Sequence, residues 1–240
     1  MTNHWIDIRN SDCMMIIGSN AAENHPICFK WVTKAMENGA KLINVDPRFT
    51  RTSSKADVYA PMRSGTDIAF IGGMINYVLN DMVRRPRNYN MEYVTQYTNA
   101  AFIVNPKFSF NDGLFGQVSD GKYTAEAKGT WKYGDTKTPA TDPTLRNPEC
   151  VFQLLKKHYS RYDADTVCSI TGTPKDVYLE VCESYAATGQ KGKAGTIMYA
   201  MGTTQHTYGT QNIRSYAILQ LLLGNMGVAG GGINALRGTS

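Results

Sequence analysis

The sequence predicts an α/β fold: a doubly wound parallel sheet with an irregular, aromatic-rich insertion. Three observations lead there. Between Cys13 and Val78, short apolar runs alternate with stretches of helical spacing, the pattern of parallel strands covered by helices on both faces. Each apolar run stops at a glycine or acidic turn, and sheets of this kind collect ligands at the carboxyl ends of their strands. From Arg85 to Pro148 the alternation gives way to Asn, Asp, Gly, Thr and Lys interleaved with Tyr93, Tyr97, Phe102, Phe108, Phe110, Phe115 and Trp131, which reads as an insertion ordered by its aromatics.

Taken in order, Cys13–Ile17 is a continuous apolar strand broken by Gly18-Ser19-Asn20, and Pro26–Glu37 follows with helical spacing through Phe29, Val32 and Met36. Gly39 closes that helix as a C-terminal cap. Lys41–Val45 is a second strand, stopping at Asp46-Pro47. A third, residues 58–62, leads into Ser64-Gly65-Thr66-Asp67 and a helix with apolar positions at Phe70, Ile71, Met74, Ile75 and Val78. Past the insertion a helix is expected over residues 149–162, and Thr173-Pro174-Lys175-Asp176 opens another running to Ala187. A fourth strand, residues 196–200, leads to Met201-Gly202 and a long amphipathic helix over residues 211–223. The chain thus divides into residues 1–84, the first strand-helix units; 85–148, the insertion; and 149–240, the helices, returning strand and glycine-rich loop of the same lobe.

Composition excludes several classes. With 240 residues and 42% hydrophobic content the chain buries a real core. Its formal charge of +5 is dispersed, and the densest basic run, Arg84, Arg85 and Arg87, is too short for a nucleic-acid interface. The five cysteines are never closer than 14 residues, so no CxxC, iron–sulfur or other metal spacing occurs, and an odd, scattered set argues against a disulfide framework. The longest apolar run, residues 217–223, is far below the roughly 20 residues that span a bilayer, so direct membrane insertion is not expected. The first five residues carry no targeting signal.

The turns carry the chemistry. Gly18-Ser19-Asn20, between strand and helix, offers backbone N–H groups and a helix N-terminus to a diphosphate, although a plain structural turn explains it equally. Asp46, 28 residues after Gly18, stands where dinucleotide folds put an acid for ribose hydroxyls, with Arg48 beside it to pair phosphate oxygens; an Asp-Pro strand stop is the simpler alternative. Asp67, after Gly65-Thr66, could accept the two adjacent N–H donors of guanine or merely begin a helix. Gln205-His206 follows the fourth strand, where amide and imidazole match the donors and acceptors of a fused pterin, although a structural role is the simpler reading of a lone His206. The five glycines between Gly224 and Gly232 suit close approach of backbone to a flat ligand, and Arg237 follows them, either solvated or placed to clamp a small carboxylate. Together these turns suggest a Rossmann-like dinucleotide-binding lobe.

The segments Met1-Thr-Asn-His-Trp5, residues 18–26, Asp46-Pro-Arg-Phe-Thr-Arg51, Arg63-Ser-Gly-Thr-Asp67, Thr204-Gln-His206, Leu223-Gly-Asn-Met-Gly and residues 230–238 resemble the large subunit of formate dehydrogenases in the molybdopterin oxidoreductase superfamily. The stretches Tyr97-Thr-Asn-Ala-Ala-Phe-Ile-Val104 and Asp112-Gly-Leu-Phe115 resemble its respiratory or periplasmic branch. The resemblance implies a lobe holding one dinucleotide of bis-molybdopterin guanine dinucleotide, with molybdenum or tungsten. It assigns Gly18, Ser19, Asn20, Ala21, Ala22, Glu23, Asp46, Pro47, Arg48, Phe49, Gly65, Thr66 and Asp67 to guanosine and diphosphate loops. Met201, Gly202, Gln205, His206 and Gly238 fall to the cofactor, and Arg237 to orienting formate.

The same resemblance implies an iron–sulfur cluster and a selenocysteine or cysteine metal ligand upstream of the segment matching Met1, and an iron–sulfur electron-transfer subunit as partner. It further implies a periplasmic setting and a chain that is one part of the large subunit, inactive alone. A free-standing pterin or guanine-nucleotide binding module and a nitrate reductase are the alternatives.

Overall fold

The computed structural model describes residues 1–105, 109–111, 114–119, 122–124, 131, 132 and 138–236. The chain forms two compact units, Met1–Asn90 with Tyr159–Ser240, and Met91–His158.

The first unit is built on five parallel strands, β1 (Cys13–Ile17), β2 (Lys41–Val45), β3 (Val58–Ala60), β7 (Gly195–Tyr199) and β8 (Ile233–Ala235), in the order β3-β2-β1-β7-β8. Every residue of β1 is buried, which is why it reads as unbroken apolar sequence: a central parallel strand is covered on both faces. Met14 and Ile16 pack with Cys28, Val32 and Ala35 of helix α2 (Pro26–Glu37), which follows the single-turn α1 (Ala21–Asn24). Helix α7 (Lys175–Ala186) covers β1 and β3, and α9 (Gly209–Leu222) covers β7 and β8, preceded by the short α8 (Met201–Thr204). Burial pushes the Cys13, Cys28 and Cys182 thiols up to about 12, so they act as small apolar side chains.

Helix α3 (Asp67–Arg84) stops just before Pro86, whose ring disfavours helical geometry in the residue ahead of it. Helix α6 (Ala164–Thr171) is absent from the sequence reading although both its ends are signalled: Asp163 accepts the Thr166 N–H, and Gly172 takes a left-handed φ of 74°.

Two expectations change. The helix expected to be amphipathic, α9, buries Asn212, Ser215 and Gln220 along with Tyr216 and Leu219, and these three polar side chains bind backbone carbonyls. The last three glycines of the run, Gly230, Gly231 and Gly232, make room for protein rather than for a flat ligand. A Cβ on Gly230 would meet Asn10 backbone at 2.4 Å, one on Gly231 the Asn225 carbonyl at 2.1 Å, and one on Gly232 the Thr2 hydroxyl at 2.0 Å. The run therefore lies at the amino ends of the strands, where the N-terminal 3-10 turn Trp5–Asn10 packs.

The second unit holds more regular structure than its composition suggests. It contains α4 (Met91–Gln96), a three-stranded antiparallel meander of β4 (Ser109–Asn111), β5 (Leu114–Ser119) and β6 (Lys122–Thr124), and α5 (Val151–Tyr159). Asn111 pairs with Leu114 and Ser119 with Lys122, and the sequence between each pair is Asp-Gly, a strong hairpin signal. The expected aromatic contribution is visible where Phe102 meets Trp131 edge-on, centroids 5.3 Å apart.

Candidate functional site at the carboxyl edge of the sheet

The chain runs from β1 outward to β2 and β3, then returns to place β7 on the other side of β1, so the switch point of the sheet lies between β1 and β7. A cleft of about 430 Å³ opens there, lined by the turns after β1, β2, β3 and β7. Of the residues expected from sequence, Gly18, Ser19, Asn20, Asp46, Pro47, Arg48, Gly65, Asp67, Met201, Gly202, Gln205 and His206 line it together. Asn24, Thr50, Met62, Ser64 and Ala200 join them without having been singled out, though each lies within four residues of one that was.

Ala21, Ala22, Glu23, Phe49 and Thr66 stand elsewhere. Ala21 is fully buried in the core beneath α2. Ala22 donates its N–H to the Thr52 hydroxyl, 3.0 Å away. Glu23 and Phe49 border a neighbouring shallow pocket with Arg51. Phe49 is 63% exposed and meets Tyr59 edge-on. Thr66 donates its hydroxyl to the Arg63 carbonyl, tightening the turn before α3. Arg237 and Gly238 lie outside the described residues.

The turns after β1 and β7 touch backbone to backbone. A Cβ on Gly202 would fall 2.6 Å from the Gly18 oxygen, and one on Gly18, at φ 60°, would fall 2.7 Å from the Thr203 hydroxyl. The helix that opens beyond the first turn is the single turn α1, followed by Pro26 and α2. The helix N-terminus expected after Asn20 is thus that of a single turn, and the backbone N–H groups with Arg48 stand beside it to meet an anion. Asn20 is held by Thr52, whose N–H and hydroxyl reach its side-chain oxygen at 3.3 and 3.1 Å.

Two acids and a hydroxyl set the polarity. Burial pushes the Asp46 carboxyl up, opposed by the Arg48 N–H at 3.0 Å and by the Arg48 charge. Burial likewise raises Asp67, partly offset by its own backbone N–H, by the neighbouring His206 and by the nearby Tyr216 hydroxyl, which itself bonds Thr203. Asp67 is 1% exposed, and neither of its carboxylate oxygens has a hydrogen-bond partner; the Ser19 hydroxyl is buried and unpartnered too. Such groups are costly to leave unanswered. A ligand offering paired N–H donors to Asp67 and an oxygen or donor to Ser19 fits the arrangement, so the site suits the nucleotide that the resemblance implies. Among the described residues no cluster of His, Cys, Asp and Glu is disposed to hold a metal ion.

Residues 1–109 match the molybdopterin oxidoreductase family. Over 239 residues the chain is 56% identical to the formate dehydrogenase subunit alpha of Megalodesulfovibrio gigas, covering 99% of this chain and 23% of that subunit. It is 50% identical to the formate dehydrogenase-O major subunit of Escherichia coli strain K12, covering 100% of this chain and 23% of that subunit. Among solved structures, acetylene hydratase from Pelobacter acetylenicus superposes with a TM-score of 0.61 at 22% identity, over 95% of this chain and 25% of that one, a likeness of fold. Through residues 1–109 the chain is similar to members of the molybdopterin oxidoreductase family. It is similar to formate dehydrogenase alpha subunits and spans 23% of the length of those it matches.

Proposed function

We propose that this chain grips one molybdopterin guanine dinucleotide of a bis-dinucleotide cofactor and so serves formate oxidation. The observation that carries the reading is Asp67, a buried carboxylate beside the cleft with both oxygens unpartnered. Guanine presents two adjacent N–H donors, and a carboxylate accepts both at once. Asp46 would take the ribose hydroxyls, and Ser19, Asn20 and the exposed Arg48 the diphosphate oxygens. Met201, Gln205 and His206, beyond β7, would meet the pterin ring. When bound, the cofactor's molybdenum or tungsten supplies the two-electron chemistry.

Arg237 would hold the formate carboxylate through two parallel hydrogen bonds. Electrons would leave through iron–sulfur clusters of the parent subunit and its partner, in a periplasmic setting. The test is titration of the chain with guanosine and adenosine 5′-diphosphates. Guanine is expected to bind about tenfold tighter, and equal binding would overturn the reading.

A further inference from the structure

The turns that form the cleft come from strands that are not all neighbours. In the sheet, β2 and β1 stand between β3 and β7, so at about 4.8 Å per strand the ends of β3 and β7 lie roughly 14 Å apart. One side chain joins what they carry. The half-buried Tyr208, between α8 and α9, donates its hydroxyl to the Gly65 carbonyl at 2.7 Å. Its ring stacks on His206, centroids 5.7 Å apart and planes 12° from parallel. His206 in turn sets its Nε2 2.8 Å from the Gly202 carbonyl. Gly202 rests on Gly18.

A continuous strap thus runs from the β3 turn through Tyr208, His206 and Gly202 to the β1 turn. The approach at its far end is tight: a Cβ on Gly65, at φ 81°, would meet the Tyr208 hydroxyl at 2.6 Å. Gly65 lies two residues before Asp67, on the turn that delivers that carboxylate to the cleft.

We infer that Tyr208 is a positioning residue that fixes the angle at which Asp67 meets its ligand, and so controls which base is accepted. The inference rests on the guanine reading given above. Tyr208 does not line the cleft; it acts through the Gly65 carbonyl on one side and the His206 ring on the other. A carboxylate accepting two parallel N–H bonds depends on orientation, because a tilt of its turn lengthens one bond before the other. Loss of the Tyr208 hydroxyl frees that tilt. The second bond, the one that separates guanine from hypoxanthine, is lost first.

The experiment compares guanosine and inosine 5′-monophosphates, which differ by the exocyclic amine, in calorimetric titrations of the full chain. The unsubstituted protein is expected to prefer the guanosine nucleotide by about tenfold. Tyr208→Phe, which keeps the stacking ring, is expected to bring that ratio close to one while inosine binding changes less than about threefold. If Tyr208→Phe weakens both nucleotides equally and keeps the ratio, Tyr208 merely supports the fold and the inference is overturned. If the unsubstituted protein shows no preference, the guanine reading itself fails and the inference falls with it, an outcome visible without any substitution. Should Tyr208→Phe lose its far-ultraviolet circular dichroism, Gly65→Ala, which drives a Cβ against the same hydroxyl, must collapse the ratio; a retained ratio there overturns the inference.

Discussion

The two ends of one sheet are built on opposite principles. At the amino ends, polar side chains answer one another. Asn225 accepts the Gly195 N–H at 3.0 Å and donates to Thr188 and Gln220; Gln220 donates to the Gly195 and Gly232 carbonyls; Asp12 accepts the Ala194 N–H at 2.9 Å. At the carboxyl ends, Ser19 and Asp67 are buried with nothing to answer them, and glycines hold the turns together. The difference separates scaffold from site. A closed polar network specifies the fold, whereas an open one is completed by a ligand.

The contrast is sharpest where a substitution strands many groups. Gln220→Leu removes the acceptor of the Tyr185 hydroxyl and the donor of two buried carbonyls, and should lower unfolding free energy by about 4 kcal/mol in urea titrations, with or without nucleotide. Gly202→Ala, pressing a Cβ on the Gly18 carbonyl, should destabilise by about 2 kcal/mol and also weaken nucleotide binding. Asp67→Asn should do the reverse of Gln220→Leu. It relieves an unpartnered buried carboxylate, so thermal denaturation should show a gain of about 1 kcal/mol while guanine nucleotide binding drops tenfold or more. A loss of stability instead would mean that the carboxyl edge is as closed as the other.

The smallest effect is one of pH, and its sign differs between the ends. Asp67 and Asp46 have folded pKa values above their unfolded ones, so the native state binds protons more readily and their burial destabilises it as pH rises through that window. Lowering pH from neutral into the acid range relieves that strain while weakening a ligand that needs the ionised carboxylate. At the amino end burial pushes the Asp7 carboxyl up, but hydrogen bonds from Asn3, Asn10 and the Gly230 N–H together hold it below the usual value. Its contribution is present above the unfolded pKa and is lost as pH falls through the lower folded one. Unfolding of Asp67→Asn and Asp7→Asn followed from pH 3 to 7, pH values set by the carboxylate range, should give pH profiles displaced from the parent in opposite directions.

Much of this was legible beforehand because the relevant signals are local. β1, β2, the α2 boundaries and the turns at Gly18, Asp46 and Gly65 follow from apolar runs ended by glycine or acid. The misreadings arose where local pattern and tertiary partner disagree. The buried polar face of α9 looks solvent-exposed in sequence, because only contact with Gly195 and Gly232, in other elements, reveals what Gln220 binds. Gly230 and Gly232 look ligand-facing until residues 2–11 pack against them, and Gly231 until the Asn225 carbonyl does. Tyr208 carried no motif at all. By contrast, the Asp-Gly hairpin signals and the α6 caps are local and stand in the sequence itself.

The pairing of β1 with β7 has a kinetic consequence. The hydrogen bond from Thr203 to Ile17, which joins the two turns of the cleft, closes a separation of 186 residues. Contacts of such long range form slowly, since loop-closure entropy is lost before they are made. During synthesis the first three strands can emerge and begin to collapse, but the pocket is assembled only after β7 docks beside β1. Completion of the cleft is therefore a late event in folding, coupled to the return of the distal half of the chain.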